Sequence, residues 1–187
     1  MDKKQLIWTE EGRKQVFNCK VFSIWESTCT PPETQPDQGK TQNFSVIDAM
    51  DWVIVVPVIK NQFVMVRQWR HGSKNLSLEF PGGVMESGED PKEAAIRELY
   101  EETGCKPEKI EKMGEFYPNP AIMSNRVHFF LAKNLCSDGK QQLDDDEYVE
   151  VELVDIEKVF QGMGKEPYTH ALMGTALMLY NRACSTP

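Results

Sequence analysis

The sequence has few cysteines, a shortage of positive charge and no long apolar run, and each shortage excludes a class of protein. Its five cysteines are odd in number and lack C-x-x-C spacing, so we expect neither a disulfide framework nor a cysteine-based zinc site. Its 21 Lys and Arg are outnumbered by 29 Asp and Glu, which gives a net charge of −8. Because non-specific nucleic-acid binders carry an excess of positive charge, we expect no nucleic-acid partner.

The apolar runs are short, and the N-terminus carries no hydrophobic leader. The longest run, residues 52–59, is less than half of the ~20 residues that a membrane-spanning helix needs. The first residues, Met-Asp-Lys-Lys-Gln, do not lead into the apolar segment of a secretory signal. We therefore expect no membrane partner and, given the cysteine usage, a cytoplasmic location with reduced thiols.

At 187 residues, the chain has the usual length of a single domain, so we expect one domain. We divide it into an N-terminal arm of strands, residues 1–50, and a main domain, residues 51–187. Within the arm, the β-prone segment 15–25 predicts a first strand, and 44–49 predicts another short strand. The polar, proline-containing segment 27–41 predicts a loop between them.

The main domain alternates strand and helix patterns. Alternating or β-branched residues favour strands at 52–59, 62–70, 126–132 and 148–154, with a turn at 60–61. Asp155 predicts the start of a short helix that ends near Gln161, and apolar spacing predicts a terminal helix at 169–183. Strands on both sides of a mid-chain helix, followed by helices, indicate an α/β fold of the α+β kind, a mixed sandwich.

The mid-chain helix has clear start and stop signals. Asp90 has the chemistry of an N-cap, Pro91 fits the first helical position, and Gly104 suits the left-handed residue that ends a helix. We predict a helix over 91–103, preceded at 78–85 by a short strand that breaks into a glycine loop.

Three glutamates of this helix share one face. Each helical residue advances ~100°, so Glu98, Glu101 and Glu102 fall within an arc of ~100°. Like charges at this spacing destabilise a helix, and a hard divalent cation such as Mg²⁺ or Mn²⁺ would remove the repulsion. Because Mg²⁺ often takes substrate phosphates as ligands, this interpretation predicts a phosphorylated substrate. The alternative is a solvated acidic face without a ligand.

The glycine loop and the helix together match a longer pattern, G-x5-E-x7-R-E-U-x-E-E-x-G-U, where U is aliphatic. Its fixed positions are filled by Gly83, Glu89, Arg97, Glu98, Leu99, Glu101, Glu102 and Gly104. The last position holds Cys105, a conservative departure because a free cysteine behaves as a small apolar residue. This pattern resembles the Nudix box. The resemblance implies the Nudix α-β-α sandwich with a mixed central sheet, and hydrolysis of a nucleoside diphosphate linked to another moiety.

The resemblance also implies roles for residues of the box. The metal ligands for Mg²⁺ or Mn²⁺ would be Glu98, Glu101, Glu102 and the backbone carbonyl of Gly82. Gly83 and Gly104 would serve backbone geometry. Glu89 and Arg97 would pair to lock the loop onto the helix; alternatively, Arg97 forms only a surface ion pair worth under ~1 kcal/mol.

Features outside the box resemble ADP-ribose and nucleoside-diphosphate-sugar pyrophosphatases. Segments 66–70 and 79–83 resemble the subfamily sequence R-Q-Y/W-R…E-x-P-G-G, and the loop 118–126 resembles its substrate-covering loop with Asn-Pro-Ala replacing Ser-Pro-Gly. The substrate-binding residues implied are Arg70, Glu79, Asn119 and Pro120. Arg70 would reach a phosphate or the terminal ribose through its planar fork; alternatively, it is a strand-end arginine in water.

The general base implied by the resemblance lies in the acidic run 144–147, just before the last predicted strand. We predict Glu147, because it is nearest to the strand, and keep Asp144, Asp145 and Asp146 as alternatives. Such a base must come within ~3 Å of the attacking water, directly or through another water. A solvated loop without a catalytic role is the remaining alternative.

The expected substrate is ADP-ribose, cleaved to AMP and ribose 5-phosphate. The alternatives are another Nudix substrate, such as GDP-mannose, a dinucleoside polyphosphate, NADH or an oxidised nucleotide, and a non-catalytic nucleotide-binding regulator. The aromatic candidates for adenine stacking are Trp52, Phe116 and Tyr117, each of which could equally belong to the core, whereas His128 and His170 receive no ligand role.

The N-terminal arm resembles the arm through which ADP-ribose pyrophosphatases pack onto a second subunit. The resemblance therefore implies a homodimer. Phe22 and Trp25 are the candidate interface residues, and the alternative is that both belong to the core of one chain.

Overall fold

The structure is a computed structural model that describes residues 6–32, 40–137, 139–144 and 147–185. The chain divides into two compact units. The first comprises Met1–Met50 and Tyr117–Asn125, and the second comprises Asp51–Phe116 and Arg126–Pro187. The segment 117–125, which the sequence analysis counted within the main domain, thus belongs by its contacts to the first unit.

An antiparallel sheet forms most of the first unit. Its strands, in spatial order, are β1 (Thr9–Asn18), β2 (Phe22–Thr30) and β3 (Gln42–Ala49). The prediction of one strand over 15–25 was wrong, because the chain turns there and the Cys19 amide donates to the Phe22 carbonyl at 3.0 Å. The predicted loop 27–41 begins too early, since β2 continues to Thr30. Part of that loop, residues 33–39, lies outside the described residues.

The segment 117–125 joins the sheet at β3. The Ile47 amide donates to the Ile122 carbonyl at 2.7 Å, and the Ser124 amide donates to the Ile47 carbonyl at 3.0 Å. The strand expected at 44–49 lies within β3. Segment 117–125, which comes after the mid-chain helix in the sequence, therefore extends this edge of the first unit.

A mixed six-stranded sheet with helices forms the second unit. Its strands are β4 (Trp52–Ile59), β5 (Gln62–Arg70), β6 (Asn75–Glu79), β7 (Cys105–Phe116), β8 (Val127–Ser137) and β9 (Val149–Asp155). Its helices are α1 (Pro91–Thr103), α2 (Ile156–Gly162) and α3 (Ala171–Ser185). The strand order is β6-β5-β4-β8-β7, with β9 paired to β5, and only the β4–β8 pair is parallel among the described strands. The predicted α+β sandwich with a mixed sheet is confirmed.

Strand β4 is buried on both faces, as its β-branched run predicts. Ile54 and Val56 contribute to the apolar cluster that includes α3, whereas Val53 and Val55 contribute to the cluster that includes Leu99 of α1. The two helices therefore cover opposite faces of the sheet. Because each buried Val or Leu stabilises the fold by about 1.5–3 kcal/mol, β4 fixes the position of α1 firmly.

Strand β7 had no counterpart in the sequence analysis. It is an edge strand paired with β8, and most of its residues are exposed or half-buried. Its sequence is rich in Lys and Glu, and a register shift between Lys112 and Gly114 interrupts its alternation. Both features remove the alternation of apolar and polar residues by which a strand is predicted, because this alternation requires one consistently buried face.

None of the helices in the described ranges combines the length and the apolar character needed to cross a bilayer.

Candidate active site

The candidate site begins where the chain leaves β6 and runs beside β4 before it enters α1. The Val55 amide donates to the Pro81 carbonyl and the Val53 amide to the Gly83 carbonyl, each at 2.9 Å. The intervening Gly82 amide donates to Glu102 Oε2 at 2.9 Å, so the backbone at Gly82 lies directly against a carboxylate of α1.

Two glycines permit this close approach. A Cβ on Gly82 would overlap the carbonyl oxygen of Val53, and a Cβ on Gly83 would lie 2.6 Å from Glu98 Oε2. Val53 presents strand backbone that cannot retreat, so glycine is required at Gly82. Glu98 Oε2 is the far end of a side chain, so a larger residue in place of Gly83 would displace this carboxylate.

The helix α1 starts and ends as its sequence predicts. Asp90 Oδ1 accepts from the amides of Lys92 and Glu93 at 2.9 and 3.4 Å, which satisfies the first turn. At the other end, Gly104 adopts a left-handed conformation with φ of 66°, and its amide donates to the Tyr100 carbonyl. These caps fix the angular position of the three glutamates.

Arg97 is the positive centre of the acidic face. Its Nε and Nη2 atoms donate to the two oxygens of Glu89 at 2.9 and 3.0 Å. Its Nη1 atom donates to Glu98 at 2.8 Å and to Glu101 at 2.9 Å. The hydrogen bond from Arg97 holds the pKa of Glu89 below its usual value despite partial desolvation. One guanidinium therefore ties the loop to the helix and orients two of the three candidate ligands.

Glu98 and Glu102 are buried acids, with 8% and 3% of their surface exposed. Burial raises the pKa of Glu98 to about 7, although hydrogen bonding to Arg97 opposes the rise. Burial also raises the pKa of Glu102 to about 8, against the hydrogen bond from Gly82 and with help from the charge of Glu98. Each acid thus resists ionisation, because the nearby positive charge does not compensate for the loss of hydration.

The carboxylates do not converge on one point. Within the part of the chain that the structure describes, no group of three or more His, Cys, Asp or Glu side chains is arranged to hold a metal ion. Arg97 holds Glu98 and Glu101, whereas Glu102 faces the Gly82 amide. The donor set nevertheless fits a hard divalent cation, since all donors are oxygens and a cation would let both buried acids ionise.

Glu147 lies in a turn before β9. Its amide donates to the Asp144 carbonyl at 3.0 Å, and its Oε2 accepts from the Asp144 amide at 3.3 Å. Its negative charge contributes to the raised pKa of both Glu98 and Glu102, so its carboxylate is within electrostatic reach of these acids. The alternatives Asp145 and Asp146 lie outside the described residues.

Arg70 and Glu79 form a bidentate ion pair across β5 and β6. Arg70 Nε and Nη2 donate to the two oxygens of Glu79 at 3.0 and 2.7 Å. Burial would raise the pKa of Glu79, but the hydrogen bonds and charge of Arg70 outweigh it and hold the pKa below the usual value. His170 Nδ1 lies 4.0 Å from Glu79. No local sequence pattern predicts this proximity, because His170 is far away along the chain.

Asn119 and Pro120 belong to the first unit, where the Asn119 carbonyl accepts from the Ile122 and Met123 amides at 3.1 and 2.8 Å. Trp52 is half-buried against the core, Phe116 packs edge-on against Phe129, and Tyr117 is exposed in the first unit. His128 is buried, with its ring nitrogens 3.2 Å from Asp51 and 3.4 Å from Glu115.

Comparisons with known proteins agree with this geometry. The sequence matches the NUDIX domain family over residues 50–172. It is 34% identical over 148 residues to an ADP-ribose pyrophosphatase of Bacillus subtilis, covering 78% of this chain and 77% of that protein. It is 29% identical over 150 residues to a methanol dehydrogenase activator of Bacillus methanolicus, covering 79% and 78%.

The fold comparison points the same way. A crystal structure of an ADP compounds hydrolase is similar with a TM-score of 0.81, 18% identity and 95% coverage of both chains. The mixed sandwich fold and the glycine loop followed by the acidic helix α1 together define one class of hydrolase. The chain belongs to the NUDIX domain family, and it is a Nudix hydrolase.

The raised pKa of Glu102 predicts a pH-dependent stability in the absence of metal. Between about pH 4.5 and about pH 8, the folded protein keeps a proton that the unfolded chain releases, so the free energy of unfolding falls as the pH rises. Glu102→Gln removes the part of this dependence that comes from Glu102 and leaves the part that comes from Glu98. In chelator, we expect the variant to exceed the wild type in stability at pH 8 and the difference to shrink towards pH 5, as measured by guanidinium denaturation.

The matched control for this comparison is Glu108→Gln, since Glu108 is an exposed glutamate of β7. We expect its stability relative to the wild type to be nearly the same at both pH values. An equal pH dependence in the wild type and Glu102→Gln would contradict the assignment of Glu102 as a buried acid that resists ionisation.

Proposed function

We propose that this Nudix hydrolase cleaves the pyrophosphate bond of a nucleoside diphosphate linked to a sugar, with ADP-ribose, cleaved to AMP and ribose 5-phosphate, as the preferred substrate. The observation that carries the proposal is the buried pair Glu98 and Glu102 facing the backbone of Gly82 and Gly83. Its substrate class is supported by the relative that is named as an ADP-ribose pyrophosphatase. Water adds to one phosphorus atom, and the other phosphate leaves with its nucleoside or sugar.

The cofactor proposed for this site is Mg²⁺ or Mn²⁺. Its ligands would be Glu98, Glu101, Glu102 and the carbonyl of Gly82. When bound, the metal supplies positive charge that neutralises phosphate oxygens and makes an attacking water more acidic. Arg97 balances part of the acidic cluster and orients Glu98 and Glu101, so the chain itself prepares the carboxylates for the cation.

The proposed general base is Glu147. It is exposed, so its carboxylate remains hydrated and available as a proton acceptor, and its charge reaches Glu98 and Glu102. In the reaction, it would take the proton of the attacking water. Asp144 is the alternative among the described residues, and it forms the other end of the same turn.

The proposed substrate-binding residues come from separate segments of the chain, before and after the box. Arg70 is held by Glu79 in a fixed orientation, and a fixed guanidinium loses less entropy when it binds a phosphate or ribose. Asn119 and Pro120 of the first unit are proposed to contact the sugar-phosphate part. Because all five cysteines are free thiols, we also propose a cytoplasmic location.

A second candidate function is regulation by nucleotide binding without turnover. It is favoured by the relative that is named as an activator of a dehydrogenase. Against it, the box keeps every acidic position and the arginine that orients two of them. A regulator that only binds would not need to keep buried acids, which cost stability near neutral pH. Catalysis is therefore the stronger proposal.

A substrate panel and Glu102→Gln together test the function. With Mg²⁺, we expect ADP-ribose to be hydrolysed faster than GDP-mannose, dinucleoside polyphosphates, NADH and nucleoside triphosphates. We expect Glu102→Gln to lower kcat by about 10²-fold or more, because a neutral amide is a poor ligand for a hard cation. Chromatography of the nucleotide products measures both, because hydrolysis of ADP-ribose yields AMP and ribose 5-phosphate and no inorganic phosphate.

The control for this experiment is Glu108→Gln, for which full activity is expected. Turnover of nucleoside triphosphates alone would reject the substrate class. Unchanged activity of Glu102→Gln would remove Glu102 from the metal site, and binding of ADP-ribose without any turnover would favour the regulator.

The role of Glu147 is tested by Glu147→Gln. We expect kcat to fall by about 10²-fold while KM stays within a few-fold, because the base acts on the water and not on substrate binding. The same change at the neighbouring acid, Asp144→Asn, is the control and should have the smaller effect. The reverse order of the two effects would move the base to Asp144.

The oligomer proposed for this chain is a homodimer formed through the N-terminal arm. All ten residues of β1 are exposed, and Phe17 and Phe22 are exposed with their rings 6.1 Å apart. Apolar groups presented together on a sheet commonly mark a protein interface. Trp25 is a weaker candidate than Phe22, since the Arg13 guanidinium lies 4.0 Å above its ring within the same chain.

Replacement of an aromatic residue on this surface should disrupt the dimer. We expect the wild type to sediment at twice its monomer mass of 21.4 kDa and Phe22→Asp to sediment as a monomer. Met178→Asp, which places the same charge on an exposed position of α3, should remain dimeric. A monomeric wild type, or a Phe22→Asp variant that stays dimeric, would argue against the arm as the interface.

A further inference from the structure

The backbone that leads to the acidic turn is anchored on the C-terminal end of α1. The last carbonyls of a helix have no partner within the helix. Here the Gln142 amide donates to the Glu101 carbonyl at 2.8 Å, and Gln141 Nε2 donates to the Glu102 carbonyl at 2.6 Å. Two of the candidate metal ligands thus have their own backbone carbonyls held by residues 141 and 142.

The side chain of Gln141 makes a second contact. Its Nε2 atom also lies 3.2 Å from the carbonyl oxygen of Val149, the first residue of β9. One amide group therefore joins the segment before the acidic turn, the strand after it and the end of α1. A carboxamide suits this position because it carries two N–H donors on one nitrogen.

Gly104 lets the anchoring segment approach the helix end. A Cβ at this position would lie 2.7 Å from the Lys140 amide nitrogen and 3.0 Å from the Lys140 carbonyl oxygen. These are backbone atoms, which a side chain cannot push aside cheaply. The close approach brings Gln141 within reach of the helix carbonyl, so the contact depends on the glycine that also ends α1.

We propose that Gln141 is a positioning residue whose carboxamide ties both ends of the Glu147 turn to α1 and so sets the place of Glu147 over the acidic face. The inference rests on the proposed function, in which Glu147 is the general base. Without this side chain, the contact that remains between the described part of the segment and the C-terminal end of α1 is the backbone hydrogen bond of Gln142. A misplacement of about 1 Å in a catalytic group can cost about 10²-fold in rate, so one such tie matters for a base on a turn.

Kinetics of Gln141→Leu test this role. Leucine keeps the approximate size of the side chain and removes both donors. We expect kcat for ADP-ribose to fall about 10-fold while KM stays within about 2-fold, because substrate binding does not use the tie. Gln141→Lys, which restores a donor of sufficient reach, should recover part of the loss. Gln142→Leu is the matched control and should behave as wild type, because the contact of Gln142 is made by its backbone amide.

A double variant separates positioning from general stabilisation. If Gln141 acts through Glu147, then Gln141→Leu should lower the rate by less than about 2-fold when Glu147 is already Gln. A full 10-fold loss in that background, or no loss in the single variant, would overturn the proposal.

Hydrogen–deuterium exchange keeps this inference separate from the proposed function. Peptides that cover 141–149 should exchange faster in Gln141→Leu than in Gln142→Leu. If the wild type turns over no substrate but this difference is found, the proposed function fails and the tie to α1 stands. Equal exchange in the two variants would overturn the tie itself, whatever the activity.

Discussion

The dominant constraint on this structure is an excess of negative over positive charge on the buried face of α1. Glu98 and Glu102 are desolvated, and Arg97 and the Gly82 amide offset only part of the cost, as the raised pKa values of both acids show. Such a face lowers the stability of the isolated chain near neutral pH. A cluster of this kind persists only where the surrounding packing holds it in place, and we propose that a bound cation offsets its charge.

The packing that holds the face in place comes from β4. Its Val53 and Val55 side chains pack beneath α1, while their amides hold Gly83 and Pro81 of the loop. The same two residues therefore position the helix by apolar contact and the loop by hydrogen bonds. Because both partners are fixed to one strand, the core sets the distance between the loop backbone and the carboxylates, and the glycines of the loop permit it.

Local signals explain which parts of the molecule the sequence could predict. The bounds of α1 follow from Asp90, Pro91 and Gly104, and the β4–β5 hairpin follows from its apolar runs and turn, so both match the structure. The β1–β2 turn and β7 were missed, because exposed edge strands carry charged residues and show no consistent alternation. The ion pair of Arg70 with Glu79 is not a register pair, since Arg70 lies opposite Asn75 and Glu79 opposite Val66, so no local pattern encodes it.

Gly104 shows why a motif residue can have more than one cause. Its left-handed conformation ends α1, and this alone would favour glycine or asparagine. The approach of Lys140 excludes asparagine as well, since any Cβ would meet backbone atoms at 2.7 and 3.0 Å. The requirement for glycine therefore comes from a segment more than thirty residues later in the chain. That segment continues into the turn of Glu147, so the residue that closes the acidic helix also admits the chain that carries the proposed base.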